Sequence, residues 1–133
     1  MTAKSPITCH VLDSSTGKPA PRVLVRLQQL ERSDDDNAPD IFQPLAKGYT
    51  DLDGRCLDLL PPAGSEEEKK EKTALQAGQT YKLVFKTKEY FEATDRTSFY
   101  PWVEITFTIA NPDEHYHVPL LISPYSFTTY RGS

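Results

Sequence analysis

The feature that most constrains the fold of this chain is the alternation of apolar and polar residues over short segments. In residues 103–109, Val103, Ile105, Phe107 and Ile109 alternate with polar side chains. This pattern is typical of a strand that buries one face, because successive side chains of a strand point to opposite sides. Further strands are predicted at 7–12, 23–28, 41–50, 81–86, 115–122 and 126–131.

Seven or eight short strands and one candidate helix define the expected fold class. Pro, Gly, Asp and Asn bound the strands, which favours turns between them. Only residues 88–94 have the composition of a short helix. The spacing of strands and turns predicts an antiparallel β-sandwich, and a length of 133 residues predicts a single domain, 1–133. The charge-rich segments 33–37 and 65–72 are predicted to be solvated loops.

Charge and hydropathy exclude several classes of partner. Fifteen Lys and Arg against nineteen Asp and Glu give a net charge of −4, which argues against a nucleic-acid partner or a polybasic membrane binder. No apolar segment approaches the roughly 20 residues of a membrane-spanning helix, and the first residues lack an apolar signal region. We therefore expect an intracellular protein in which Cys9 and Cys56 are reduced thiols.

The three histidines are the first candidates for chemistry, because the imidazole pKa of about 6.5 suits proton transfer near neutral pH. His115 and His117 lie two residues apart, so they share one face of a predicted strand, and His10 lies in another strand. If the flanking valines are buried, all three histidines point outward. They are then surface or interface residues, acid–base groups, or ligands of a zinc ion with His10 or Cys9 as a third ligand.

Arg55 and the C-terminal tetrapeptide are the other candidate groups. Arg55 follows a turn-like stretch, so its guanidinium either pairs with Asp51 or Asp53 or holds a carboxylate or a developing oxyanion. Residues 130–133 follow an aromatic strand directly. They are either an ordinary polar tail or, if docked, a polar lining for a small heterocyclic ligand.

Four ordered motifs together carry a resemblance to a known family. The chain contains TCHVLD at 8–13, DGRC at 53–56, HYHVPLL at 115–121 and YRGS at 130–133. In these motifs it resembles the 5-hydroxyisourate hydrolase family of transthyretin-related proteins, over about residues 7–133. The terminal YRGS is the most specific of the four.

The resemblance implies a transthyretin (prealbumin)-like sandwich of two four-stranded sheets with one short helix. It implies a homotetramer, built as a dimer of dimers, with active sites in a channel lined by two subunits. The implied reaction is hydrolysis of 5-hydroxyisourate to 2-oxo-4-hydroxy-4-carboxy-5-ureidoimidazoline in urate breakdown, without a metal or another cofactor. Relatives of this kind occur in the cytoplasm or the peroxisome.

The resemblance also implies roles for particular residues. His10 and His117 would orient and deprotonate a water molecule, and Arg55 would fix the substrate and stabilise developing charge. The implied catalytic residues are His10, Arg55, His117 and Ser133. The implied substrate-binding residues are His10, Arg55, Tyr130, Arg131, Gly132 and Ser133.

One alternative function shares the same expected fold. A transthyretin-like binding protein would carry a hydrophobic small ligand, such as thyroid hormone, in its central channel. Carriers of this kind lack the two histidines, the arginine and the terminal YRGS, all of which this chain has.

Overall fold

The computed structural model describes residues 4–133, which form nine strands and two helices. The strands are β1 (Ile7–Asp13), β2 (Lys18–Pro19), β3 (Leu24–Glu31), β4 (Ile41–Tyr49), β5 (Arg55–Cys56), β6 (Thr80–Phe85), β7 (Val103–Thr108), β8 (Tyr116–Ser123) and β9 (Ser126–Thr129). The helices are α1 (Glu66–Glu71) and α2 (Thr87–Ala93). Neither of these helices is long and apolar enough to cross a bilayer.

The strands form two sheets that pack face to face, so the predicted sandwich is confirmed. The β1 sheet has the order β2-β1-β8-β9, with β5 also paired to β1. The β3 sheet has the order β4-β3-β6-β7. The β1 sheet therefore has five strands rather than four, because the two-residue strands β2 and β5 pair with successive parts of the same edge of β1.

One strand pair departs from the antiparallel expectation. β1 and β8 run parallel, with Thr8 opposite His117 and His10 opposite Pro119. A tight turn forces consecutive strands to be antiparallel, but β1 and β8 are separated by most of the chain and are free of that constraint. The other six strand pairs among the described residues are antiparallel.

The charged segment 65–72, expected to be a loop, contains helix α1, so the prediction of one helix is wrong. The Ser65 side chain caps this helix by accepting a hydrogen bond from the Glu68 backbone N–H. Acidic residues occupy the first turn and lysines the last, which suits the helix dipole. No residue of α1 is buried, so the helix is stabilised by its cap and charges and gave no apolar periodicity to detect. The predicted helix at 88–94 corresponds to α2, and the predicted loop at 33–37 is exposed.

The core lies between the two sheets and is built by the alternation noted in the sequence. The inward side chains of β1, Ile7, Cys9 and Val11, are fully buried. Cys9 lies opposite Cys56 of β5, and both are free thiols, as predicted. A hydrogen bond with Cys56, together with burial, raises the pKa of the Cys9 thiol well above its ordinary value, so Cys9 is neutral.

A buried carboxylate ties helix α2 to the end of β1. Asp13 is fully buried and accepts hydrogen bonds from the Arg96 guanidinium, the Tyr90 hydroxyl and Ser15. Burial alone would raise the pKa of the Asp13 carboxyl, but the hydrogen bonds from Arg96, Ser15 and Tyr90 hold it below its ordinary value. Asp13 therefore stabilises the fold as an anion.

Replacing Arg96 by Met should destabilise the protein by about 3–5 kcal/mol at pH 7, because a buried carboxylate loses its counter-charge. A lowered carboxyl pKa contributes stability at neutral pH that is lost as the pH falls through the folded-state pKa. The difference between Arg96→Met and the wild type should therefore shrink toward pH 3. Urea unfolding at both pH values measures this. The matched control is Lys88→Met, which breaks an exposed pair with Glu92 and should cost less than about 1 kcal/mol. An equal loss of unfolding free energy in both variants would contradict the assignment of Asp13 as a buried anion paired with Arg96.

Candidate active site

The outward face of the β1 sheet brings together side chains from four segments of the chain. Cys9 and Val11 point into the core, so Thr8 and His10 point to the opposite side of β1. The register places His10 opposite Arg55 and Thr8 opposite His117. The ring centroids of His10 and His117 are 6.5 Å apart. We call this face, with Thr8, His10, Arg55, His117 and the tail 130–133, the histidine face.

A rigid turn presents Arg55. The Asp51 carboxylate accepts hydrogen bonds from the backbone N–H groups of Asp53 and Arg55, each at 2.9 Å. Gly54 has a φ of 78°, and a Cβ there would overlap the carbonyl oxygen of Val11. Within residues 4–133, the Arg55 guanidinium has no ion pair with Asp51 or Asp53 and is exposed. It is therefore free to bind an anion.

The hydrogen bonding of His10 fixes its neutral tautomer. Its Nε2 lies 2.9 Å from the backbone carbonyl oxygen of Asp53. A carbonyl oxygen only accepts, so Nε2 carries the proton. His10 Nε2 is thus hydrogen-bonded to the turn that presents Arg55, and the lone pair of the neutral ring lies on Nδ1.

In His117, by contrast, Nδ1 is hydrogen-bonded and Nε2 is free. Its Nδ1 lies 2.8 Å from Thr8 Oγ1, whereas its outer nitrogen, Nε2, has no hydrogen-bond partner among the described residues. The pKa of His117 is lowered below its ordinary value by burial and then by the charges of His115, His10, Arg55 and Lys4. His117 is consequently neutral near pH 7, and a neutral imidazole can accept a proton.

The C-terminal tail is docked rather than frayed. The predicted strand 126–131 ends at Thr129, but the Gly132 N–H donates to the His117 carbonyl oxygen at 2.8 Å and continues the pairing with β8. Arg131 pairs with Glu114 at 2.9 Å and stacks over the Tyr116 ring at 4.5 Å. The side chains of Tyr130 and Ser133 are exposed.

Gly132 allows the tail to approach His117 closely. A Cβ at this position would lie 2.8 Å from His117 Cδ2 and 3.1 Å from Pro119 Cγ. Any side chain at 132 would therefore displace either the tail or the imidazole.

The third interpretation of the histidines is a zinc site. No group of three or more His, Cys, Asp or Glu residues within 4–133 is arranged to hold a metal ion. Thr8 Oγ1 instead lies between the rings of His115 and His117, and Cys9 points into the core.

Thr8 is the residue of this face that sequence reasoning missed. It belongs to the TCHVLD motif, but only the parallel pairing of β1 with β8 places it beside His117. A threonine in a strand has no distinguishing pattern of its own, so nothing in the sequence marked it as a contact of the histidines.

Comparisons with known proteins point to one family. The HIUase/Transthyretin family model matches residues 7–132. The 5-hydroxyisourate hydrolase of Mus musculus is 44% identical over 133 residues, covering 99% of this chain and 98% of its own. The structure of Klebsiella pneumoniae 5-hydroxyisourate hydrolase matches with a TM-score of 0.69 at 29% identity, covering 100% of both chains. Sea bream transthyretin in complex with thyroxine matches with a TM-score of 0.74 at 28% identity, covering 96% of this chain and 95% of its own.

Replacing Gly132 by Ala should detach the tail or move the His117 ring, because the added Cβ overlaps His117 Cδ2. We expect a changed NMR environment of the His117 imidazole and several-fold faster removal of the tail by a carboxypeptidase. Ser133→Ala, which adds no atoms, is the control. A Gly132→Ala variant with wild-type His117 resonances and wild-type tail release would contradict the close packing.

Proposed function

The chain belongs to the HIUase/Transthyretin family, and from that premise we propose that it hydrolyses 5-hydroxyisourate. Support comes from the 5-hydroxyisourate hydrolase of Mus musculus, which matches this chain over nearly its whole length. The observation that carries the proposal is the meeting of His10, Arg55 and His117 on one exposed face. A proton acceptor beside an unpaired guanidinium suits water attack on an anionic, ring-shaped amide.

In the proposed reaction, His117 Nε2 takes a proton from water while the water oxygen bonds to the ring amide carbon. The C–N bond then breaks, and the proton returns to the leaving nitrogen. We assign the base to His117 because its Nε2 is free, whereas His10 Nε2 donates to the backbone carbonyl oxygen of Asp53. A positioned general base contributes roughly 10²–10⁴-fold to such a rate. His10 orients the water or the substrate. The product is 2-oxo-4-hydroxy-4-carboxy-5-ureidoimidazoline.

Arg55 and the tail complete the proposed site. The Arg55 guanidinium binds the substrate anion and the charge that develops on the attacked carbonyl. Tyr130 and Ser133, with their exposed hydroxyls, hydrogen-bond the substrate or the water, while Arg131 and Gly132 hold the tail on β8. The protein acts as a homotetramer, a dimer of dimers, in which the histidine face lines a channel between subunits.

The function is tested by generating 5-hydroxyisourate from urate with a urate oxidase and following its decay by absorbance. The protein should accelerate the decay, and His117→Asn should abolish the acceleration because an amide cannot take the proton. Circular dichroism and sedimentation must show the same fold and assembly for both proteins. Decay at the spontaneous rate with the folded wild type would reject the enzyme, and thyroxine binding by that sample would favour the carrier.

Replacing Arg55 by Lys should lower kcat/KM by about 10²–10³-fold, because a lysine keeps the charge but loses the planar pair of donors. The matched control is Arg26→Lys, the same change at an exposed position of β3. The absorbance assay should give wild-type rates for Arg26→Lys. Comparable rates for both variants would remove Arg55 from the proposed mechanism.

A further inference from the structure

Thr8 lies between His115, which immediately precedes β8, and His117 of β8. Its Oγ1 is 2.9 Å from His115 Nε2 and 2.8 Å from His117 Nδ1. Thr8 is only 1% exposed although it points away from the core, and both imidazole rings contact its hydroxyl. This buried hydroxyl links the half-buried His117 to the exposed His115.

The single proton of a hydroxyl limits how these three groups can bond. Thr8 can donate to one of the two imidazole nitrogens and must accept from the other. One arrangement places a proton on His117 Nδ1, and the other leaves Nδ1 bare and places the proton of the neutral ring on Nε2. The direction of the chain of hydrogen bonds therefore decides which His117 nitrogen has the lone pair.

We propose that Thr8 and His115 are positioning residues that set the His117 tautomer, with His117 Nδ1–H donating to Thr8 and the Thr8 hydroxyl donating to His115 Nε2. The inference rests on the proposed function, in which His117 Nε2 is the base. The reverse direction would put a proton on the nitrogen that must accept one. In the proposed direction, the remaining proton of neutral His115 lies on its Nδ1.

The electrostatic surroundings keep both rings neutral, as this arrangement requires. Burial and the charge of Lys4 lower the pKa of His115, and burial is also the largest cause of the lowered pKa of His117. The groups whose charges lower the pKa of His117 are His115 just before β8, His10 on β1, Arg55 on β5 and Lys4 before β1. None of these is an acid that would favour an imidazolium. Two neutral rings supply one donor and one acceptor to Thr8, so the Thr8 hydroxyl both accepts and donates a hydrogen bond.

The tautomer is measured directly by long-range ¹H–¹⁵N NMR of the histidine side chains in the full-length wild-type protein near pH 7. We expect His117 to have a protonated Nδ1 and an unprotonated Nε2. A protonated Nε2 with a bare Nδ1 would overturn the inference. This readout needs no substrate, so it is independent of whether the proposed reaction occurs.

Activity variants give a second test. Thr8→Val, which keeps the shape and loses the hydroxyl, should lower kcat by tenfold or more with little change in KM, and Thr8→Ser should restore most of it. Thr97→Val, the same change at an exposed loop position, is the control and should leave kcat unchanged. His115→Leu should lower kcat, and His115→Gln should recover part of it because its amide oxygen can accept from Thr8.

The outcomes distinguish failure of the positioning role from failure of the proposed hydrolase activity. A wild-type protein that accelerates the decay together with a Thr8→Val variant of undiminished kcat would overturn the positioning role and leave the hydrolase intact. A wild-type protein without acceleration would reject the hydrolase, and the NMR tautomer would then still decide the hydrogen-bond direction.

Discussion

The parallel pairing of β1 with β8 is the interaction on which the rest of the structure depends. It joins the first strand of the chain to the eighth, and its register sets Thr8 beside His117. The edge of β1 opposite β8 pairs with β5, which supplies Arg55 opposite His10. The other edge of β8 receives β9 and the tail, which brings Gly132 against the ring of His117. Each part of the histidine face is thus placed by backbone pairing with one of these two strands.

The core determines which side chains reach that face. Ile7, Cys9 and Val11 are fully buried, so the two residues between them in sequence, Thr8 and His10, must point outward. A slip of one residue in the register of β1 would turn its entire buried set toward the outside, at the cost of losing that burial. The packing of apolar side chains therefore holds the polar site in place.

The elements with strong alternation were predictable from the sequence, and the pairing between distant elements was not. Residues 103–109 predicted β7 almost to its ends, because a half-buried strand leaves a two-residue pattern. The outward direction of His10 and His117 followed from the same rule. The contact of Thr8 with His115 spans 107 residues and depends on a parallel pairing that no local pattern encodes. Helix α1 escaped prediction because it buries nothing, and its charges resemble those of a solvated loop.

The electrostatics of the histidine face suit the binding of an anion there, although the chain has a net charge of −4. The exposed guanidinium of Arg55 is unpaired within the described residues, and its charge helps to lower the pKa of His117. An anion bound to Arg55 would offset that charge, so the pKa of His117 would rise when substrate is bound. If His117 is the base, as proposed, its affinity for a proton would increase on substrate binding, at the position where the attacking water must lose one. Binding and proton transfer would then be coupled through the charges of Arg55 and the bound anion.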